Sequence, residues 1–314
     1  MEYGVPQGSV LGPLLFFIYI NDLNKALRYC SAIHFADDTS LFLKTKRLKQ
    51  MNKYVNIDLK YVNNWLNANK ISLNANKTEI LIFRHHKKQL DYNLKIKING
   101  KQIMPSEVVK YLGIYIDSDF NWNNHISYLA PKLTRAIGML SKIRHYVPFQ
   151  TLRSIYYSIF SSNLTYRSQI WGQNPNYNIK RIMNLQKKAI KVINFANFND
   201  PVDPLYQHSK IIKFTDSIKL SNLLTAHDSI HNKLPIILNR IFILRKDAHN
   251  YTTQNCNMLT LPSAKTTTYG IKSIEYQCVT MWNRLIVESP NTEIHSLNRF
   301  SLKKIIQNIF LTQS

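Results

Sequence analysis

The sequence predicts an α+β protein, mixed α and β over residues 1–117 and helical beyond, and three observations carry that expectation. Leu94, Ile96 and Ile98 alternate with Lys95 and Lys97 ahead of Asn99-Gly100, the strongest short-range hairpin signal. Apolar spacings of three and four then take over at Ile126, Leu129, Leu133, Ile137 and Leu140. Of 314 residues 45% are hydrophobic, enough to bury a real core across about two domains.

Residues 4–12 read GVPQGSVLG, a glycine-punctuated loop, and Pro13 suits a first helical turn, where its missing N–H costs nothing. The apolar run 11–20 has about half the ~20 residues a membrane span needs, and Asn21-Asp22 ends it. A buried helix reaching about Leu27 is expected. Residues 32–43, AIHFADDTSLFL, are two strand-forming runs around Asp37-Asp38, a hairpin with an acidic tip. Met51, Val55, Leu59, Val62 and Leu66 mark an amphipathic helix ending near Asn69. Residues 78–83 and 108–116 read as strands. After the helix at 126–140 come one through Leu152, Tyr156 and Ile159 and one through Ile179, Ile182, Ala189 and Ile193. Beyond Asp200-Pro201 the pattern weakens, with a helix over 215–230 and a loop at Thr266 to Thr268. There is no internal repeat. The expected domains are 1–117, 118–165 and a mostly helical, basic 166–314.

Lys and Arg number 41 against 18 Asp and Glu, a net charge of +23 that repels itself unless a polyanion is the partner. Nucleic acid leads that list. Three scattered cysteines (Cys30, Cys256, Cys278) fit neither a disulfide framework nor a zinc site, so a reducing compartment and no structural metal are expected. Met1-Glu2-Tyr3-Gly4 has no signal-peptide pattern, which places the expectation inside the cell, in nucleus or cytoplasm, away from membranes.

The sharpest chemical feature is Asp37-Asp38, two adjacent carboxylates between apolar strands of a basic chain. Such a turn can offer oxygen ligands to Mg²⁺ or Mn²⁺, and paired metals stabilise both the attacking and the leaving oxygen in nucleotidyl transfer. Taken alone, Asp-Asp also reads as an ordinary solvated turn. Lys132, Arg135, Lys142 and Arg144 interrupt an apolar helical face where a helix can track a duplex backbone, or are simply its solvated side. Lys187, Lys188 and Lys191 with Gln186 form a basic stripe opposite Ile182 and Ile193, with the same bland alternative. Residues 84–88, RHHKK, read as a solvated loop before a phosphate-facing turn, and least as a metal site, because adjacent His85 and His86 on an extended chain face opposite ways. Trp65, Trp122, Trp171 and Trp282 read as core, with base stacking by Trp122 left open.

The ordered set GVPQGSVLGPLLF, FADD, LNANKTEILIF and YLGIYID resembles the reverse transcriptases of non-LTR (LINE-type, jockey-like) retrotransposons, from the GVPQGS motif onward. The resemblance implies an RNA-directed DNA polymerase that uses Mg²⁺ or Mn²⁺, an RNA template, a DNA primer and deoxynucleoside triphosphates. It implies that Gly4, Pro6, Gln7, Gly8 and Ser9 lie under template and nucleotide and that Asp37 and Asp38 bind metal. Lys77 would lie near the triphosphate, with Asn74 and Thr78 in its segment, while a hairpin at Tyr111, Leu112 and Gly113 grips the primer end. Residues 122–146 resemble thumb helices, and 154–171 with 185–195 a post-thumb region. The family's palm carries a further metal-binding aspartate on a strand before GVPQGS, where this sequence has Met1-Glu2-Tyr3. The expectation is therefore an incomplete palm, a small antiparallel sheet with helices, followed by an α-helical thumb and post-thumb region, and a chain that is inactive by itself. The alternative is a catalytically inactive, basic nucleic-acid-binding remnant.

Overall fold

The computed structural model describes residues 5–6, 8–83, 94–173, 177–248, 257–289 and 294–312. The chain divides into two compact units, Met1–Tyr111 with Ile116–Asp119, and Leu112–Tyr115 with Phe120–Ser314.

The first unit is mixed. Helix α1 (Gly12–Ile20) starts with Pro13 in its first turn, as the sequence requires, and a single 3₁₀ turn (Leu23–Ala26) follows. Strands β1 (Ser31–Phe35) and β2 (Asp38–Phe42) pair antiparallel, Ser31 opposite Phe42 and Phe35 opposite Asp38, which leaves Ala36 and Asp37 as a two-residue loop. Helix α2 (Leu48–Ala68) packs its three-and-four-spaced face into a small core of Ile20, Leu23, Val62 and Leu66. Then come β3 (Ile80–Leu81), β4 (Ile96–Ile98), β5 (Lys101–Ile103), β6 (Pro105–Ser106), β7 (Val108–Tyr111) and β8 (Ile114–Asp117), whose first two residues belong to the second unit. Asn99 and Gly100 both have positive φ, the type I′ geometry that Asn-Gly favours, and β4 places Ile96 and Ile98 inward.

Four expectations are corrected here. The strands form separate two-stranded ladders rather than one antiparallel sheet, and β3 with β6 is parallel. The strand over 78–83 shrinks to two residues because Thr78 is held in the preceding turn. The strand over 108–116 breaks at Leu112-Gly113, both at positive φ. The helix over 11–20 is formed but mostly exposed, with Ile20 its one buried residue. It is apolar all round, so a small core covers only one side and leaves Leu14, Phe17 and Ile18 at the surface.

The second unit is helical: α3 (Asn123–Ile143), α4 (Phe149–Ile155) running through a π-helical turn (Tyr156–Ser161) into α5 (Ser162–Thr165), α6 (Ser168–Trp171), α7 (Tyr177–Ile193), α8 (Asp203–Ser209), α9 (Phe214–Ile230), α10 (Ile236–Asn239), α11 (Arg245–Ala248), α12 (Ile274–Glu288) and α13 (Arg299–Thr312). Helices α3 and α7 pack along each other, burying Leu129, Leu133 and Leu140 from one and Ile182, Ile190 and Ile193 from the other. Helix α9 packs against both α12 and α13 in a second core that holds Leu223, Trp282 and Leu302. Thr267–Ile271 forms a π-helical turn where a loop was expected, so only Thr266 is extended there. Trp171 and Trp282 are fully buried and Trp65 partly so. Trp122, 5% exposed, belongs to the core and offers no face for a base. No described helix is long and apolar enough to cross a membrane.

Candidate functional site

In the first unit the β1–β2 hairpin carries Asp37 and Asp38, both exposed at its tip. The turn begins with Ala36 at φ +51°, the left-handed region that costs a residue with a Cβ roughly 1–2 kcal/mol. The His34 ring ties the strands together, its Nδ1 3.1 Å from Thr39 Oγ1 and its Nε2 3.2 Å from Asn24 Oδ1. Among the described residues, Asp37, Asp38 and Lys77 make no side-chain hydrogen bond or ion pair with one another.

The entry to this hairpin is fixed from α2 by Asp58, a residue the sequence reading missed. Its carboxylate is buried and accepts the backbone N–H groups of Arg28 at 3.0 Å, Tyr29 at 2.9 Å and Cys30 at 2.6 Å. Burial, the largest single influence, pushes this carboxyl up, but the N–H groups of Cys30, Tyr29 and Arg28 together hold it below its ordinary value. The neighbouring Cys30 thiol is pushed up to about 12, by burial first and then by Asp58. Tyr29 stacks on Tyr54 at 4.1 Å and the Arg28 guanidinium sits 4.2 Å from the Tyr61 ring centroid, so the same segment is clamped to α2 by its side chains. Two residues earlier on α2, the Asn56 carboxamide donates to Lys95 O and accepts from Lys97 N–H, both at 2.9 Å, and so fixes β4 to the same helix.

Of the GVPQGS residues, Gly4 and Gln7 lie outside the described residues. Pro6 is exposed, Gly8 has φ +85°, and Ser9 closes the turn, its N–H donating to Pro6 O at 3.1 Å. The Ser9 hydroxyl accepts the Gly12 N–H at 3.1 Å and so satisfies an otherwise unpaired donor at the start of α1. Asn74 organises the LNANKT turn: its Oδ1 accepts the Asn76 N–H, and its carbonyl accepts from the Lys77 N–H and the Thr78 hydroxyl, each at 3.1 Å. This leaves Lys77 exposed. Asp117, at the end of β8, is buried and accepts the Asp119 N–H at 3.1 Å. Among the described residues no group of three or more His, Cys, Asp and Glu side chains is arranged to hold a metal. Residues 84–88 lie outside the described residues.

In the second unit the turn after Tyr111 is a type I′ turn, with Leu112 at φ +44° and Gly113 at φ +87°. Leu112 O accepts the Tyr166 hydroxyl at 2.8 Å, and a Cβ on Gly113 would meet the Tyr166 ring at 3.2 Å. Behind it, Tyr115 N–H donates to His125 Nδ1 at 3.5 Å. Burial first, and then the charge of Lys132, pushes His125 down to about 4. Along α3, Arg135 and Lys142 are exposed and Lys132 lies with its ammonium 4.2 Å from the Tyr128 ring centroid. Arg144 at its end lies 5.3 Å from the Phe195 ring centroid. On α7, Lys187 and Lys188 are exposed and Lys191 is half-buried. Gln186 leaves the stripe to which the sequence assigned it: it is buried, donating to Tyr156 Oη and Ile212 O and accepting the Phe214 N–H at 2.7 Å.

Residues 1–116 match the family model "Reverse transcriptase (RNA-dependent DNA polymerase)". The chain is 25% identical over 234 residues to the RNA-directed DNA polymerase from mobile element jockey of Drosophila melanogaster, covering 70% of this chain and 25% of that protein. It is 25% identical over 247 residues to the probable RNA-directed DNA polymerase from transposon X-element of the same fly, covering 76% of this chain and 27% of that one. Against the Pol polyprotein from type-1 retrotransposable element R1 of Bradysia coprophila it is 24% identical over 203 residues, covering 62% and 20%. The chain thus spans about a quarter of the length of these relatives. No solved structure matches it.

Proposed function

We propose, from the match of residues 1–116 to the reverse transcriptase family model and the likeness of the chain to non-LTR retrotransposon polymerases, that this chain supplies the carboxylate hairpin and the basic helices of an RNA-directed DNA polymerase. The observation that carries the reading is the hairpin: two exposed carboxylates, in no ion pair among the described residues, on a tight turn of a chain with net charge +23, its entry pinned by Asp58. Hard carboxylate oxygens fit Mg²⁺ or Mn²⁺. When bound, the metal neutralises charge on the phosphate oxygens during transfer.

The remaining roles follow. The loop of Gly4, Pro6, Gln7, Gly8 and Ser9 supports template and incoming nucleotide. Asn74 and Thr78 shape the turn from which Lys77 reaches the triphosphate, its ammonium stabilising charge on the departing pyrophosphate or donating a proton to it. The Tyr111-Leu112-Gly113 turn holds the primer end. Lys132, Arg135, Lys142 and Arg144 follow the phosphates of an RNA–DNA hybrid.

Two-metal chemistry draws its ligands from more than one element, and the described residues gather no third carboxylate. The polypeptide 1–314 alone therefore binds hybrid without extending a primer. A second reading, a purely nucleic-acid-binding remnant, is favoured by one fact: from Asp119 to Asp200 the intervening sequence has eleven Lys and Arg and no Asp or Glu. Primer extension on RNA separates the two. It is run with residues 1–314 and with a chimera in which they replace the matched quarter of the jockey polymerase. Incorporation by the chimera alone is expected. Incorporation by neither, with hybrid binding intact, selects the remnant.

A further inference from the structure

Helices α3 and α7 end on a surface of a different character from the faces they bury. Helix α7 closes with the Phe195 N–H donating to Val192 O at 3.4 Å and the Ala196 N–H to Lys191 O at 3.0 Å, the paired bonds of a Schellman turn. The left-handed position of that turn, usually glycine, is Phe195 at φ +55°. Its ring is 50% exposed, with the Arg144 guanidinium 5.3 Å from its centroid and the His145 ring edge-on at 5.5 Å. Three residues on, Phe198 is 83% exposed beneath the Lys191 ammonium, 5.5 Å from its centroid, and Tyr146, next to His145, is 85% exposed. Asp200, the acid that ends this stretch, is engaged by the Asn197 N–H at 2.6 Å.

Phe198 and Tyr146 bury little and Phe195 about half of its surface, so packing does not account for the first two. Single exposed aromatics are ordinary, but here Phe195 and Phe198 each lie beside a cation, Arg144 and Lys191, and Tyr146 follows Arg144 by two residues on a stretch without acids. We infer that this corner is a stacking platform for unpaired nucleobases, its phosphates met by Lys142, Arg144 and Lys191. The chemistry separates it from duplex tracking: an open aromatic face is useful to a base whose own face is free, whereas a duplex offers phosphates and groove edges. The ligand is therefore a single strand of RNA or DNA. The inference rests on the nucleic-acid-binding reading above and extends it with a strand-type-selective platform that shares Lys142 and Arg144 with the hybrid track.

The test is fluorescence anisotropy of the full chain at low salt with three probes: a uridine oligonucleotide, a thymidine oligonucleotide and a blunt RNA–DNA hybrid. The variants are Phe198→Ala, Tyr146→Ala and Phe195→Gly. The first two residues are almost wholly exposed and the third change suits the left-handed backbone, so the thermal midpoint should be held or raised. Each change is expected to weaken binding of at least one single strand by about tenfold, the scale of one base stacked on one ring, and to leave the hybrid within about twofold. A stronger loss with the uridine strand assigns the site to RNA, and with the thymidine strand to DNA. Equal losses on strand and hybrid, or unchanged single-strand binding in all three variants, would overturn the platform. Hybrid binding by a chain that ignores both single strands overturns the platform alone. Failure of the unaltered chain to bind any probe overturns the parent reading with it.

Discussion

A carboxylate on the apolar face of a helix costs free energy unless its lone pairs are used, and at Asp58 three consecutive backbone N–H groups use them. Asp58→Asn leaves one acceptor oxygen where three donors converge, and unfolding free energy should fall by about 1.5–3 kcal/mol in denaturant titration. Because the folded-state pKa is lowered, this stabilisation is present above the ordinary value of 3.8 and is lost as pH falls through the lower folded value. His125 gives a window at higher pH. Its folded value of about 4 lies below the ordinary 6.5, so the unfolded chain binds more protons between them, and stability should drop as pH falls from about 6.5 to about 4. His125→Gln should flatten that part of the stability curve. Asp58 was legible in principle: it stands three residues after Val55 and four before Val62, a charge at a core position of a periodic face. Gln186, four after Ile182, carries the same signal. Asp37-Asp38 could be read because adjacent acids between strand-forming runs need no long-range information.

Elements with one buried face were the legible ones. Helices α2 and α3 have apolar residues at steps of three and four; α2 ends at Ala68, as expected near Asn69, and α3 extends beyond its expected span at both ends. Helices α1 and α9 are harder for opposite reasons. Apolar residues surround α1, but the small core covers one side. Helix α9 lies between α12 and α13 and buries Asn222, His227 and Ser229 along with its apolar residues, so no clean stripe survives in its sequence. Asn99-Gly100 announced its turn, whereas the residues alone did not show Leu112-Gly113, because a left-handed leucine is rare, and only the family resemblance put a hairpin there. That turn makes a prediction at this scale. Gly113→Ala puts a Cβ at positive φ and 3.2 Å from the Tyr166 ring, while Tyr166→Phe removes only the hydroxyl bond to Leu112 O. Hydrogen exchange of residues 110–116 should rise strongly in the first and by about tenfold or less in the second, the worth of one hydrogen bond.

At the scale of the whole molecule the charge of +23 organises function more than fold. Binding of RNA–DNA hybrid should fall steeply with salt and depend little on sequence. Reversing Lys132, Arg135 and Lys142 should weaken all sequences alike and flatten the log–log salt slope by about 0.9 for each phosphate no longer neutralised. Equal slopes before and after reversal would remove α3 from the interface. The charge and the four ordered motifs were plain in the sequence; the meeting of α3 and α7 at Arg144 and Phe195 was not, since the two stand far apart along the chain and only the packed helices bring them together. The central claim is that the Asp37-Asp38 hairpin supplies carboxylates for nucleotidyl transfer. Its most direct test is the single-turnover rate of deoxynucleotide incorporation by the jockey chimera with and without Asp37→Ala, beside Thr39→Ala, a neighbour on the same hairpin. The account predicts a loss of at least about a hundredfold for Asp37→Ala, a few kcal/mol of transition-state stabilisation, and little change for Thr39→Ala. Incorporation by the Asp37→Ala chimera within about threefold of the unaltered one, on the same rate scale, would contradict it.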